Sequence, residues 1–198
     1  MSSPTPTARR ARGSRRRELL AIAADLFAER GFAGVTVDDI GAAAGISGPA
    51  LYHHFESKEA ILGEMLVAIS EQLLAGGRAC RAAAPDDRLL ADLIDMHVDF
   101  AVDQQALITV HFRDLPHASA EDQQRVRRLQ RQYAEIWVRA LIAVTPGLSV
   151  TSARAAVHAV FGLINSTPFS TRPRRPDTRA DMVTLLRTMS TGAFTALT

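Results

Sequence analysis

The sequence has a single cysteine, Cys80, so no internal disulfide is possible and a reducing cytoplasm suits the chain. No continuous apolar run approaches the roughly 18–20 residues that span a bilayer, and the N-terminus lacks the apolar core of a signal peptide. Strand-type alternation and Asn-Gly hairpin signals are also missing. These absences favour an all-α, cytoplasmic protein without a membrane partner.

Catalytic signatures are missing as well. The sequence has no G-x-S-x-G elbow, no phosphate-binding loop and no C-x-x-C pair. A small helical enzyme would have to rely on isolated groups such as His97, His111 or Asp114. We therefore expect no enzyme, and turnover assays would test that alternative.

The positive charge is unevenly distributed. The formal net charge is only +2, yet residues 1–17 hold no acid and contain Arg9, Arg10, Arg12, Arg15, Arg16 and Arg17. A basic arm of this kind often binds nucleic acid. In the absence of DNA we expect residues 1–11 to be a disordered, solvated tail.

Residues 36–62, TVDDIGAAAGISGPALYHHFESKEAIL, carry the most specific pattern. Thr36 is a good N-cap, and Asp39 three residues later completes a capping box. Gly45 suits the left-handed turn that ends this helix, and Ser47 caps a second helix that reaches Phe55. The spacing predicts a helix-turn-helix, a motif that places its second helix in the DNA major groove.

Residues from about Arg16 to Leu62 resemble the tetracycline-repressor (TetR) family of bacterial regulators. The resemblance rests on the first helix, ELLAIAADLFAERGF, and on the run LYHHFESKEAIL. It implies a ligand-responsive transcriptional repressor that binds a palindromic operator as a homodimer. Besides the enzyme considered above, a ligand-independent architectural DNA-binding protein is a further alternative.

The rest of the chain predicts further helices, about nine in all. Glycine, proline and capping residues place them at 16–31, 36–44, 47–55, 58–75, 87–102, 104–113, 120–144, 150–166 and 178–196, with a loop at 168–177. The fourth is expected to end at Gly76-Gly77. We predict a DNA-binding domain over 1–57 and a ligand-binding and dimerisation domain over 58–198, with the fourth helix as the mechanical link between them.

The predicted DNA contacts divide into two groups. The residues predicted to contact base edges lie on the exposed side of the second helix of the motif: Gly48, Pro49, Ala50 and His53. Groups for phosphates are hydroxyls, helix starts and cations: Arg15, Arg16, Thr36, Ser47, Tyr52 and Lys58.

The predicted effector pocket is apolar with a few polar groups. Its candidate residues are Met65, Ile69, Leu93, Met96, His97, Phe100, Leu107, Ile108, His111, Phe112, Tyr133, Trp137 and Phe161. The pattern of the later helices loosely resembles regulators of lipid or acyl-CoA catabolism. Arg127, Arg128 and Arg131 therefore either hold a coenzyme A phosphate or form a solvated helix face.

Three histidines, His97, His111 and His158, each lie on the apolar stripe of a pocket helix. Converging imidazoles predict a Zn²⁺ or Ni²⁺ site, whereas hydrogen-bonded core histidines are the alternative.

The resemblance also implies that the last two helices form the dimer interface. Their apolar residues are Val157, Val160, Phe161 and Ile164 in one helix and Met182, Leu185, Leu186, Met189, Phe194 and Leu197 in the other. An ordinary intrachain core would use the same stripes.

Overall fold

The computed structural model describes residues 6–83, 85–170 and 178–197, and within these ranges it contains helices and no strand. The helices are α1 (Pro6–Arg30), α2 (Val37–Ala43), α3 (Gly48–Leu51), α4 (Lys58–Ala83), α5 (Asp86–Asp103), α6 (Gln105–Asp114), α7 (Ala120–Val144), α8 (Val150–Ile164), α9 (Thr167–Ser170) and α10 (Thr178–Thr195). A 3-10 turn, Leu115–His117, follows α6. The all-α prediction is confirmed.

Capping side chains set several helix starts where the sequence predicts them. Ser119 Oγ accepts a hydrogen bond from the backbone N–H of Asp122 at the start of α7, and the predicted bounds of this helix, 120–144, are those observed. Gly31 and Gly45 have φ values of +79° and +67°, which end α1 and α2 as expected.

The N-terminal arm differs from the prediction. The structure continues α1 back to Pro6, so the expected disorder of residues 1–11 is wrong from Pro6 onward; residues 1–5 lie outside the described residues. Proline suits the first helical position, and the alanines and arginines that follow are strong helix formers. The helix therefore includes most of the arm.

The second helix of the motif is shorter than predicted. It ends at Leu51 rather than at Phe55. The N–H of His53 donates to the carbonyl of Ala50 and that of His54 to Leu51, which are tight three-residue turns. This tightening places Phe55 in the core, where it is 3% exposed.

The fourth helix is longer than predicted, because Gly76 and Gly77 do not end it. Neither glycine has a positive φ. A Cβ on Gly77 would lie 2.9 Å from Cε2 of Tyr133 in α7, and one on Gly76 would lie 3.1 Å from Sδ of Met96 in α5. These glycines thus allow close helix packing.

Among the described residues, α4 is the one helix with the length and mean hydropathy to cross a membrane, although Glu64 and Glu71 interrupt it. The sequence prediction concerned continuous apolar runs, and α4 contains no run of that length because these two glutamates lie within it. More than half of its most apolar window is buried inside the protein, mainly against α7, as in a core helix.

Two apolar clusters form the interior. One joins α4, α5, α7, α8 and α10, and the other joins α1 to α3 with the first half of α4. The second cluster also includes Val110, Ala118 and Val126 from the region of α6 and α7. The core under the helix-turn-helix therefore continues past the predicted domain boundary at residue 57.

The two neighbouring glycines give a matched test of helix packing. Gly77→Ala should lower the free energy of unfolding by about 1–3 kcal/mol, because the new methyl group meets the buried ring of Tyr133. Gly76→Ala should be neutral or stabilise by up to about 1 kcal/mol, because alanine favours a helix and Met96 is flexible. Chemical denaturation of both variants measures this, and equal effects would contradict the assigned contact.

Candidate functional site

The helix-turn-helix is built by short-range hydrogen bonds. Thr36 Oγ1 accepts from the N–H of Asp39, and Asp39 Oδ2 accepts from the N–H of Thr36 at 2.8 Å, so the capping box is complete. In the turn, the N–H of Ile46 donates to the carbonyl of Gly41 at 2.9 Å. A Cβ on Gly41 would lie 2.9 Å from the Ile46 carbonyl oxygen, so the turn requires glycine at this position.

The outer surface of this motif presents Pro49, Tyr52 and His53, all exposed, with Tyr52 57% accessible. Ala50 is half-buried. Gly48 is buried, which corrects its prediction as an exposed contact: a Cβ there would lie 1.8 Å from Oδ1 of Asp38. Fewer exposed residues are therefore available to contact base edges than the sequence predicts.

The hydroxyls of Thr36 and Ser47 take part in capping. Ser47 Oγ accepts from the N–H of Ala50 at 3.3 Å, while Thr36 Oγ1 also donates to Asp39 Oδ2 at 2.5 Å. The hydrogen bonds from Thr36 lower the pKa of Asp39, which keeps a carboxylate at the start of α2. A phosphate would compete with this carboxylate for the donors of Thr36.

Arg16 serves as an internal brace rather than a free cation. Its Nε donates to Glu64 Oε1 at 2.5 Å, its terminal nitrogens reach Glu64 and the His54 carbonyl, and its guanidinium lies 4.2 Å from the Phe55 ring centroid. Arg15 donates to the carbonyl of Ala44 at 2.7 Å. The prediction of Arg15 and Arg16 as phosphate contacts overlooked these acceptors, and Glu64 gives no signal in the sequence.

Lys58 also has internal acceptors. Its ammonium donates to the carbonyls of Phe32 and Val35, each at 2.8 Å, and lies 4.2 Å from the centroid of the Phe32 ring. An ammonium has three N–H donors, so one remains for a phosphate.

A pocket of about 450 Å³ lies among the helices α4, α5, α6, α7 and α8. It is lined by Leu73, His97, His111, Phe112, Arg127, Gln130, Arg131, Tyr133, His158, Phe161, Gly162 and Asn165. Five of the predicted effector residues meet here, and all three of the predicted metal-binding histidines reach it. Leu73, Gln130, Gly162 and Asn165 were missed, since none stands out from its neighbours in the sequence.

Other predicted pocket residues lie elsewhere. Leu93, Ile108 and Trp137 are buried core, and Met96 and Phe100 pack against the same cluster. Met65, Ile69 and Leu107 line a different cleft of about 360 Å³ between α1, α4 and α6. The apolar stripe of each of these helices is wide enough to contain both core residues and cavity-lining residues. The sequence alone does not show which residue of a stripe faces the core and which faces a cavity.

The pocket floor consists of His97, Tyr133 and Asn165. His97 Nδ1 lies 2.9 Å from the Tyr133 hydroxyl, and Nε2 lies 3.2 Å from Asn165 Oδ1. Because a carbonyl oxygen only accepts, Nε2–H is the donor and Nδ1 accepts from Tyr133. Burial lowers the pKa of His97 to about 4, while the bond to Asn165 opposes this shift. Burial likewise raises the pKa of the Tyr133 phenol, so the floor is neutral, and both ring nitrogens of His97 are hydrogen-bonded.

The pocket mouth consists of Phe112, Arg127, Arg131, His158 and Gly162, which are accessible to solvent. Two guanidinium groups give this rim a positive charge. Aromatic rings continue from the rim to the floor: Phe161 stacks on His97 with centroids 5.0 Å apart and meets Trp137 edge-on at 5.1 Å. The arrangement suits an amphipathic ligand with an anionic group.

The three histidines line one pocket but are not grouped around a common position for an ion. Within the part of the chain that the structure describes, no three His, Cys, Asp or Glu side chains are grouped closely enough to hold an ion. Both ring nitrogens of His97 are hydrogen-bonded, and His111 Nε2 lies 2.6 Å from Gln130 Nε2. A Zn²⁺ or Ni²⁺ ion therefore stays a prediction from the sequence without support in this geometry.

The predicted interface residues divide between core and surface. Val157, Val160, Ile164, Leu186 and Phe194 are at most 3% exposed inside their own chain, which corrects their assignment to an interface. The outer face of α8 and α10 instead presents Leu185, Met189 and Leu197, which are 51%, 46% and 40% exposed, and the small residues Ala155 and Ala159 of α8 are also exposed.

Comparison with known families identifies both halves of the chain. Residues 19–65 match the family described as bacterial regulatory proteins, tetR family. Residues 82–169 match the tetracyclin repressor-like C-terminal domain.

Individual relatives agree with these matches. The HTH-type transcriptional repressor KstR2 of Rhodococcus jostii is 33% identical over 145 residues, 72% of this chain and 71% of the repressor. The ketosteroid transcriptional regulator KstR2 of Mycobacterium tuberculosis has a solved structure with a TM-score of 0.79 at 26% identity, covering 93% and 95% of the two chains. AibR, solved in complex with isovaleryl coenzyme A and operator DNA, shares the fold with a TM-score of 0.70 at 18% identity, covering 88% and 97%.

The buried His97 predicts a pH-dependent stability. Its pKa is about 4 when folded and 6.5 in the unfolded chain, so the unfolded chain takes up the proton first as the pH falls. As the pH falls from 7 to 5, protonation of this residue in the unfolded chain should lower the free energy of unfolding by about 2 kcal/mol. His97→Gln should remove this contribution to the pH dependence of the free energy of unfolding. Denaturation at both pH values measures it, with His53→Gln as the exposed control. If the free energy of unfolding changed equally with pH in the wild type and in His97→Gln, the lowered pKa of His97 would be contradicted.

Proposed function

The chain belongs to the TetR family of bacterial transcriptional regulators, and we propose that it is a cytoplasmic repressor whose homodimer leaves its operator when a small amphipathic molecule binds. The observation that carries this proposal is the combination of a capped helix-turn-helix with a partly open pocket in one chain. We keep 1–57 and 58–198 as the proposed functional units. Because the two units share one apolar cluster, a change in the packing of one unit would alter the packing of the other.

DNA recognition would use the exposed side of α3 and the turn after it. Pro49 and Ala50 offer apolar contact to a thymine methyl group, and His53 offers a hydrogen bond to a base edge. Tyr52 presents a phenol, and Lys58 keeps one free N–H donor for a phosphate. Contacts with phosphates set the register on the duplex and make the affinity fall steeply with salt.

Dimerisation would use the outer face of α8 and α10. Leu185 and Met189 lie one helical turn apart, and both are about half exposed in the monomer. Small residues on α8 would let a second copy approach closely. A two-fold dimer presents two readout surfaces, as a palindromic operator requires.

The effector would enter through the pocket mouth. Arg127 and Arg131 supply positive charge for an anionic head group, while the aromatic lining and neutral floor suit an apolar portion that carries a carbonyl or hydroxyl. Acyl-CoA thioesters combine these features, and isovaleryl coenzyme A is the ligand named for one protein of the same fold. We propose acyl-CoA thioesters as the effector class.

No observation favours the alternative functions. The groups considered for catalysis have structural partners: His97 bonds Tyr133 and Asn165, His111 bonds Gln130, and Asp114 is ion-paired with Arg113. A ligand-independent architectural protein would have no use for a pocket with a charged rim.

Selection of bound fragments from random DNA tests the recognition proposal. Wild-type protein should recover a two-fold symmetric consensus. His53→Ala should change the preferred base at one position in each half-site, because loss of a base contact costs about 1–3 kcal/mol of discrimination. Tyr52→Phe should weaken binding to all sequences about equally and keep the consensus. An unchanged consensus for His53→Ala would show that this side chain does not read a base.

Titration with octanoyl-CoA and palmitoyl-CoA tests the effector proposal. Binding should alter the emission of Trp137, which contacts the pocket ring Phe161, and should lower operator affinity. Replacing Arg127 and Arg131 together by Gln should weaken acyl-CoA binding roughly tenfold or more, because charge-assisted hydrogen bonds are lost.

Arg128→Gln is the matched control, since Arg128 is an exposed neighbour on α7 outside the pocket lining. A similar loss in this control would assign the effect to general charge. An operator affinity that neither acyl-CoA changes would refute the proposed effector class.

A further inference from the structure

A further cleft, of about 260 Å³, lies between α5, the end of α7 and α10. Leu90 and Ile94 of α5, Leu141 of α7 and Phe194 of α10 contribute apolar side chains to its lining, and Thr145 lines it directly after α7. None of its lining residues belongs to the effector pocket or to the cleft beside α1. We call this space the Thr145 cleft.

The side chain of Thr145 is buried without a match for its hydroxyl. The residue is 3% exposed, and its Oγ1 has no hydrogen-bond partner within the described part of the chain. Its backbone is paired, because its N–H donates to the Ile142 carbonyl at 3.4 Å and its carbonyl accepts from the N–H of Leu148 at 3.2 Å. A buried hydroxyl without a partner is unfavourable, so a molecule that bonds to it would recover this free energy.

The apolar walls of the cleft are set by the core. Ile94, Leu141 and Phe194 are each at most 3% exposed, and the Phe194 ring packs on Trp137 with centroids 6.4 Å apart. Val144, which also lines the cleft, is 36% exposed. Side chains held by core packing form a preformed wall, and a molecule seated against it would remove apolar surface from water.

The charge of the cleft disfavours an anionic ligand. Asp87 is the one ionisable side chain among the described residues that line it. The neighbouring cation, Arg88, is ion-paired with Asp92 at 3.6 Å. An acyl-CoA or a fatty acid would therefore meet a carboxylate here and no lining cation, in contrast to the rim of the effector pocket.

We propose that the Thr145 cleft is a second ligand site, which takes a small uncharged alcohol or phenol with an apolar body. A hydroxyl group both donates and accepts, so the ligand and Thr145 Oγ1 can bond in either direction. The apolar body would lie against Ile94, Leu141 and Phe194. This site is independent of the proposed effector response, because the two sites share no lining residue.

Two probes that differ by one hydroxyl test this site. 5-Indanol and indane share a bicyclic hydrocarbon frame, and only 5-indanol can bond to Thr145. In methyl NMR titrations, 5-indanol should shift the signals of Ile94, Leu141 and Val144 to saturation. It should bind at least about fivefold more tightly than indane, as one hydrogen bond allows.

Thr145→Val should reduce this preference to less than about twofold, because the partner hydroxyl is gone. The melting temperature of the free variant should stay equal or rise, since no hydrogen bond is lost. Thr109→Val is the matched control: its hydroxyl donates to the Gln105 carbonyl outside the cleft lining, so this variant should keep the fivefold preference. An undiminished preference in Thr145→Val would overturn the assignment of Thr145 as the ligand's partner.

Ala91→Leu tests the site by a second route, also in the event that Thr145→Val does not fold. Ala91 lines the cleft, so the larger side chain should abolish the shifts of Ile94, Leu141 and Val144. The methyl signals of Leu73 report on the effector pocket. Shifts confined to Leu73, or no saturable shift at either place, would overturn the second site and leave the proposed effector response untouched.

Discussion

At Gly77, α4 has no side chain, and the ring of Tyr133 on α7 packs directly against it. The position of this ring determines much of the regulatory half. Its hydroxyl donates to His97, and its face stacks on Phe161 with centroids 5.5 Å apart, so the pocket floor depends on how closely α4 and α7 approach. The first half of the same α4 completes the core under the helix-turn-helix. A change in α4–α7 packing would therefore reach both the pocket and the DNA-binding motif.

Cations near the DNA-binding motif serve mainly to hold it together. Arg16 braces α1 against α4 and the α3 turn, Lys58 fixes the loop after α1, and Arg113 holds the end of α1. Each places a positive charge against carbonyl oxygens or a carboxylate, where charge-assisted hydrogen bonds are strong. The exposed side of the motif then presents Pro49, Tyr52 and His53, the groups proposed to contact DNA, and their placement depends on the bracing residues.

The pocket combines a neutral interior with a positive rim. His97 stays uncharged because burial disfavours the imidazolium, and its two nitrogens match one donor and one acceptor. Arg127 and Arg131 lie exposed at the mouth. For the proposed amphipathic effector, this separation would let an apolar group enter without meeting a buried charge, while an anionic group would stay at the surface.

Local signals in the sequence determined the helices and the motif. Thr36, Ser47 and Ser119 cap the helices they precede, and Gly45 adopts the left-handed turn, because capping and turn geometry involve only a few neighbouring residues. Tertiary contacts decided the rest. Arg16 meets a partner 48 residues away, and Gly76 and Gly77 allow packing instead of ending a helix. The three predicted metal ligands reach one pocket, but His97 pairs with Tyr133 and Asn165 and His111 pairs with Gln130, since the orientation of a side chain depends on neighbours that are distant in sequence.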